Sequence, residues 1–169
     1  MKMIQVTDPR PGDIGLTQIT GPVGTLIGLG EKLNGDRFTQ YQHAFVVLSG
    51  NRLIEAEPGG AGLGMLSEYA GRENLFLRPE GFTMAQGAVV AAASERYVGT
   101  PYSFMDYLAI AAHRFRLPVP WLRSYIESTR HLICSQLVDA AYQAAGYQLF
   151  SDRRWSGFVT PADLAELMG

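Results

Sequence analysis

The sequence predicts a single α+β domain that spans residues 1–169. Patterns typical of β-strands lie in the first half of the chain, whereas helical patterns fill the second half. Hydrophobic residues make up 47% of the 169 residues, which is enough to build one buried core. We therefore expect strands from the first half and helices from the second half to share one core.

The clearest strand pattern is a hairpin. The run HAFVVLSGNRLIEAE, residues 43–57, contains two apolar, β-branched stretches on either side of the turn residues 49–51. A shorter strand is predicted over residues 14–19, after a Pro-Gly-Asp turn at 11–13. The alternating segment NLFLRP, residues 74–79, predicts a further strand.

Helices are predicted in the second half of the chain. The first follows Thr83, whose hydroxyl is a suitable N-cap for an Ala-rich segment. A second helix is expected over residues 103–115 and a third over residues 132–145, ended by Gly146 in the left-handed conformation. Thr160, followed by proline, predicts the start of a short final helix.

Charge and composition exclude several classes of protein. The net charge is -2 and no long basic run occurs, so nucleic acid is not an expected partner. No stretch of about 20 apolar residues predicts a transmembrane helix, and the N-terminus lacks the apolar core of a signal peptide. We expect a protein of the cytoplasm or one delivered by a non-classical route, as phage proteins and effectors are. The oligomeric state stays open.

Cys134 is the only cysteine, so an internal disulfide is excluded, and it lies in the first turn of the third predicted helix. Free cysteines are commonly buried and inert, so a purely structural role is one interpretation. In the first turn, however, unpaired N–H groups and the helix dipole stabilise an anion and lower the pKa of a thiol. The position therefore predicts a reactive nucleophile, provided that a base lies nearby.

His43 and Glu55 are the candidates for that base and for the group that orients it. They lie twelve residues apart in the two strands of the hairpin. If the connection centres on Ser49, the two residues face each other directly; if it centres one residue later, Glu57 faces His43 and Glu55 lies diagonally. An odd register would separate His43 and Glu55 onto opposite faces. A carboxylate beside an imidazole holds its tautomer and stabilises the imidazolium.

The segments PGDIGL, HAFVVLSGNRLIEA, YVGTPYSF, ICSQLVDAAYQAAG and VTPADLAEL, in this order, resemble the circularly permuted branch of the NlpC-type papain-like cysteine peptidases. Lecithin retinol acyltransferase-like proteins are relatives of this branch. The resemblance runs from about residue 11 to residue 167. In the permuted branch the order along the chain is histidine, polar residue and then cysteine, which matches His43, Glu55 and Cys134.

The resemblance implies a papain-like permuted core, in which a small antiparallel sheet or barrel packs against helices and the nucleophile lies at a helix N-terminus. Cys134 would attack an acyl carbon, His43 would act as general base and then as acid, and Glu55 would orient His43. The backbone N–H of Cys134 would stabilise the oxyanion. Tyr102 and Ser135 are expected to contact the substrate. The resemblance implies neither a cofactor nor a metal.

The activity implied is hydrolysis of an amide or ester bond, in the first place within a cell-wall peptide such as a muropeptide. The permuted branch also includes lipid acyl hydrolases and acyltransferases, so a lipid amide is an alternative substrate. A non-catalytic binding domain of the same fold is a second alternative. A metal site formed by His43, Cys134 and His131 is a third, and it would need residues from distant segments.

Two features depart from the family pattern. Gln136 stands two residues after the nucleophile, where the permuted branch often has an acidic residue, and we expect the change to alter a structural hydrogen bond. The Gly-rich segment 20–42 is longer than a plain connection. A lid over the cleft and an ordinary surface loop are both compatible with its composition.

Overall fold

The computed structural model describes residues 1–19, 40–57, 59–102, 133–152, 156 and 159–168. Within these residues the predicted α+β class is confirmed. The strands are β1 (Met3–Val6), β2 (Ile14–Thr17), β3 (His43–Val47), β4 (Arg52–Glu57), β5 (Gly60–Met65) and β6 (Asn74–Pro79). The helices are α1 (Met84–Glu95), α2 (Cys134–Ala144) and α3 (Pro161–Ala165), with 3-10 helices at Leu66–Tyr69 and Glu166–Met168.

The six strands form one antiparallel sheet in the order β1-β6-β2-β3-β4-β5. Over the described residues this sheet has β1 and β5 at its edges and does not close into a barrel. The turn between β3 and β4 contains Gly50 and Asn51, both in the left-handed region with φ of +71° and +61°. Phe45 pairs with Glu55 across the hairpin, so the connection centres on Gly50.

The two faces of the sheet bury different side chains. Helix α2 packs against β3 and β4, and α1 packs against α2. The main core lies on this helix-bearing side and includes Val46, Ile54 and Leu137. A smaller cluster consists of Phe45, Val47, Leu53 and Tyr69. Because side chains alternate along a strand, His43 lies on the same face of β3 as Phe45 and Val47 of this second cluster.

The predicted starts of α1 and α3 and the predicted end of α2 are confirmed, whereas α2 begins at Cys134, two residues later than the sequence predicts. The Thr83 hydroxyl accepts the N–H of Gln86, and the Gln86 side chain returns a bond to Thr83, which completes a capping box. Thr160 and Asp163 form the same arrangement at the start of α3. Gly146 has φ of +86° just after the end of α2, as a C′ glycine should.

Two strands were not predicted from the sequence, β1 and β5. Strand β5 reads GAGLGM, and its three glycines have low β-propensity, yet all six of its residues pair with β4. The helix predicted over residues 103–115, nearly all of the segment 20–42, and His131 lie outside the described residues. None of the helices in the described part has the length and apolar character that crossing a bilayer requires.

Helix α1 approaches the turn before β2 through two glycines. A Cβ atom on Gly87 would lie 2.2 Å from the carbonyl oxygen of Pro11. A Cβ atom on Gly12, which has φ of +89°, would lie 2.4 Å from the carbonyl oxygen of Gly87. Both clashes are with backbone atoms, so a change of side-chain rotamer cannot relieve them.

Gly87→Ala is expected to lower the free energy of unfolding by about 2 kcal/mol, because overpacking outweighs the gain of about 1 kcal/mol in helix propensity. Ala88→Gly, at the exposed neighbouring position, is the matched control and should cost about 1 kcal/mol through propensity alone. Urea unfolding of both variants measures the two changes. A Gly87→Ala protein more stable than the wild type would contradict the close approach of α1.

Candidate active site

Helix α2 begins at Cys134, and Ile133 is its N-cap. The N–H of Ile133 donates to Oε1 of Gln136 at 3.1 Å, so Gln136 supplies a structural hydrogen bond at the helix start. This bond fixes the first turn of α2 and therefore the position of the sulfur. Cys134 is buried and contacts the main core. Its backbone N–H lies in the first turn of α2.

His43 lies between Cys134 and Glu55. Its Nε2 atom is 2.6 Å from Oε2 of Glu55. The imidazole also makes a side-chain hydrogen bond with Cys134. Because Nε2 is engaged by Glu55, Nδ1 is the ring nitrogen left for the sulfur. The side chains of His43 and Glu55 are only 7% and 8% exposed, so water screens this contact little.

The contact between His43 and Glu55 is diagonal. Since Phe45 faces Glu55, continuing the register places Glu57 directly opposite His43. This is the second of the two registers that the sequence allowed. Diagonal neighbours in a sheet have Cα atoms about 7–8 Å apart, which long side chains can bridge. Glu57 is exposed, and its carboxylate also lies near the imidazole.

His43 is held in its charged form. Burial by itself lowers the pKa of His43, because a charged imidazole loses its hydration. Hydrogen bonds to Cys134 and Glu55, together with the negative charge of both partners, outweigh burial and raise the pKa of His43 to about 10. The attraction is mutual, so the protonated imidazole favours the thiolate form of Cys134.

Glu55 is held in its ionised form. Burial raises the pKa of Glu55, but the hydrogen bond and charge of His43, the hydrogen bond of Tyr69 and the charge of Arg72 bring it below the ordinary value of 4.5. A carboxylate whose pKa is lower in the folded state stabilises the fold above the unfolded-state pKa. That contribution is lost as the pH falls through the pKa of the folded protein.

One glycine of β5 lies beside the Glu55 carboxylate. Gly62 pairs with Glu55 across β4 and β5, and Gly60 pairs with Glu57. A Cβ atom on Gly64 would lie 3.0 Å from Oε1 of Glu55. Gly64, one of the glycines that weaken the strand pattern in the sequence, therefore leaves room for the carboxylate.

The two predicted substrate contacts occupy different surroundings. Tyr102 is half-buried and packs against the main core. Ser135 is fully buried, and its hydroxyl donates to the carbonyl oxygen of Val159 at 2.7 Å, which ties α2 to the residues before α3. This bond engages the hydroxyl of Ser135 within the fold. A contact of either residue with substrate stays a prediction.

Sequence analysis missed Tyr69. Its hydroxyl donates a short hydrogen bond to Oε2 of Glu55, the same oxygen that faces His43. Tyr69 ends the 3-10 helix that follows β5. Because β5 was not predicted, nothing in the sequence indicated that the chain returns to Glu55 fourteen residues later.

A group of possible metal ligands also occurs in the described part of the chain. His43, Glu55 and Glu57 each offer one ligand atom, and these atoms lie within 4.8 Å of one another. It differs from the alternative metal site considered from the sequence, His43, Cys134 and His131, which is untested because His131 lies outside the described residues.

No protein-family model matches this chain, and no curated protein matches it. Among solved structures, it is similar to the crystal structure of metalloprotein yiiX from Escherichia coli O157:H7 (DUF1105), with a TM-score of 0.60 and 20% sequence identity. The similarity covers 94% of this chain and 79% of that chain. At this level of identity the likeness shows a shared α+β fold.

Proposed function

We propose that this protein is a cysteine hydrolase with a permuted papain-like core, in which Cys134 is the nucleophile. His43 is its general base and acid, and Glu55 orients His43. The double contact of His43, with Cys134 on one side and Glu55 on the other, carries this proposal. A nucleophile, a base and an orienting group within hydrogen-bond reach are what acyl transfer to a side chain needs.

In the first step, the thiolate of Cys134 attacks the acyl carbon of an amide or ester and forms a tetrahedral oxyanion. The N–H of Cys134, in the first turn of α2, is suited to donate to this oxyanion. His43 then gives its Nδ1 proton to the departing amine or alcohol. The carbon–nitrogen or carbon–oxygen bond breaks, and a thioester to Cys134 remains.

In the second step, neutral His43 accepts a proton from water, and the resulting hydroxide attacks the thioester. The tetrahedral intermediate collapses, the carboxylic acid leaves, and the thiolate and imidazolium are restored. Glu55 accepts a hydrogen bond from Nε2–H of His43 throughout and offsets the positive charge on the ring. The cycle consumes one water and needs no other reactant.

The substrate class rests on the family resemblance. A cell-wall peptide, such as a muropeptide, is the first candidate, and a lipid amide or ester is the second. Both supply an acyl carbon that fits the two steps above. The mass of the acyl group left on the enzyme separates them.

The test is to trap that acyl group. The protein is incubated with separate pools of muropeptides and of lipid amides and esters, the reaction is stopped with acid, and the intact protein is weighed. We expect a gain of one acyl group that peptide mapping locates on Cys134, along with released product. Cys134→Ala should gain nothing. A folded wild-type protein that neither gains mass nor releases product from either pool would favour the binding-domain alternative.

A metal centre at His43, Glu55 and Glu57 is the second candidate, favoured by the proximity of their ligand atoms. The similar structure is that of a protein named a metalloprotein. Two ligands at about 2.0–2.1 Å from a tetrahedral zinc lie about 3.3 Å apart. Nε2 of His43 and Oε2 of Glu55 are 2.6 Å apart, which fits a shared proton better than a shared metal.

A further inference from the structure

We propose that Tyr69 is a positioning residue of this active site. Its hydroxyl holds the Glu55 carboxylate where that carboxylate accepts a hydrogen bond from Nε2–H of His43. The inference rests on the proposed function and extends the line of contacts to four side chains, Cys134, His43, Glu55 and Tyr69. Tyr69 acts only through Glu55 and does not touch the reacting atoms.

One oxygen of Glu55 receives both hydrogen bonds. Nε2 of His43 and the hydroxyl of Tyr69 both contact Oε2. The terminal torsion of a glutamate is otherwise broad, so two donors at one oxygen restrict a carboxylate that would rotate freely. Hydrogen bonds to the ionised form also keep the carboxylate negative beside the imidazolium.

The ring of Tyr69 is held independently of Glu55. It stacks on Phe45, with ring centroids 5.1 Å apart and planes 16° apart. The guanidinium carbon of Arg72 lies 5.0 Å from the centroid of the same ring. Tyr69 is only 6% exposed, so these contacts leave the ring little freedom to move.

The backbone of Tyr69 is anchored as well. Nδ2 of Asn74 donates to the carbonyl oxygen of Tyr69 at 2.8 Å and to that of Arg72 at 3.2 Å. The N–H of Met65 donates to Oε1 of Glu68 at 2.8 Å and closes the start of the 3-10 helix. The scaffold therefore sets the position of the hydroxyl, as a group that orients a catalytic partner requires.

Tyr69 also keeps its proton. Burial, the hydrogen bond to Glu55 and the charge of Glu55 raise the pKa of Tyr69 well above its ordinary value. The hydroxyl is therefore a donor at every pH at which Glu55 is ionised. The neutral phenol stabilises the ionised carboxylate by donating a hydrogen bond, and it adds no second negative charge beside it.

The test follows the Cys134 thiolate by its ultraviolet absorbance and by iodoacetamide alkylation, as a function of pH. Cys134 is the only cysteine, so both signals belong to one site. Tyr69→Phe keeps the ring and removes the hydroxyl. We expect the pH at which the thiolate is lost on acidification to rise, because Glu55 takes up a proton at higher pH. The alkylation rate at neutral pH should fall about threefold to tenfold, the effect of one typical hydrogen bond.

Tyr142→Phe is the matched control, since it removes another buried hydroxyl, one that donates to the carbonyl oxygen of Gly12 at 2.6 Å. It should leave the pH profile unchanged. A double-mutant cycle then asks whether Tyr69 acts through Glu55. In a Glu55→Gln background, Tyr69→Phe should have no further effect on alkylation. Additive effects of the two substitutions would overturn the proposal.

If Tyr69→Phe does not fold, a second variant that shifts the pH of thiolate loss in the opposite direction provides the test. Site-specific replacement of Tyr69 by fluorotyrosine makes the phenol a stronger donor and keeps its shape. The loss of thiolate on acidification should then move to lower pH, and an unchanged profile would reject the proposal. A wild-type protein whose Cys134 titrates as an ordinary thiol rejects the proposed function itself. A wild-type thiolate that persists at low pH, with no response to either Tyr69 variant, rejects only the role of Tyr69.

Discussion

His43→Ala is expected to return Cys134 towards the behaviour of an ordinary thiol. In the proposed ion pair the charged imidazole sustains a thiolate at Cys134, so we expect the thiolate absorbance of the wild type to change little between about pH 5 and 8. Without the imidazole, a thiol with a pKa of about 8.5 loses tenfold in thiolate for each pH unit below that value. At pH 6 the variant should retain only about 0.3% thiolate.

The absorbance titration is the primary measurement, with Cys134→Ser as the blank. Alkylation by iodoacetamide is the second, and its slope with pH is more informative than its rate at one pH. A more basic thiolate is a better nucleophile, so the rate falls by less than the thiolate fraction does. If the alkylation rate depended on pH equally in the wild type and in His43→Ala, the proposed ion pair, and with it the proposed nucleophile, would be rejected.

Glu55→Gln is expected to lower the alkylation rate at neutral pH by about tenfold or more, whereas Glu57→Gln should change it by less than about twofold. Both glutamates lie on β4, share one sheet face and stand near His43. Only Glu55 bonds Nε2 of His43. Both substitutions remove one negative charge near His43, but only Glu55→Gln also replaces the buried carboxylate that is hydrogen-bonded to Nε2.

The same pair of variants separates the hydrolase from the metal centre. If the protein bound a metal through His43, Glu55 and Glu57, both substitutions would reduce the metal content of the purified protein, measured by elemental mass spectrometry. The proposed triad instead predicts that the alkylation rates of the two variants do not follow their metal contents. Similar losses of alkylation in Glu55→Gln and Glu57→Gln, along with a shared loss of bound metal, would favour the metal centre.

The position of Cys134 could be predicted because its signal is local. The apolar periodicity of α2 and Gly146 at its end mark the helix, and the cysteine lies at its first residue. The shared sheet face of His43 and Glu55 was predictable for a similar reason. Strand alternation has a period of two, so an even separation in a hairpin keeps two side chains on one face.

The register of the hairpin could not be chosen from the sequence. A connection centred on Ser49 and one centred on Gly50 both preserve the shared face. The left-handed conformations of Gly50 and Asn51 decide between them, and they place Glu57 opposite His43. The orienting contact nevertheless goes to the diagonal Glu55, because hydrogen bonding depends on where the side-chain ends meet and not on which Cα atoms pair.

The sequence by itself determined the α+β class, the caps of α1 and α3, and the common face of His43 and Glu55, since each depends on spacing along one short segment. Only the tertiary structure decided that α2 brings Cys134 to His43 and that Tyr69 returns to the Oε2 atom of Glu55. Those contacts join segments separated by up to 91 residues or by an unpredicted glycine-rich strand. Contacts between such segments depend on how whole helices and strands pack, and a local sequence pattern contains no information about that packing.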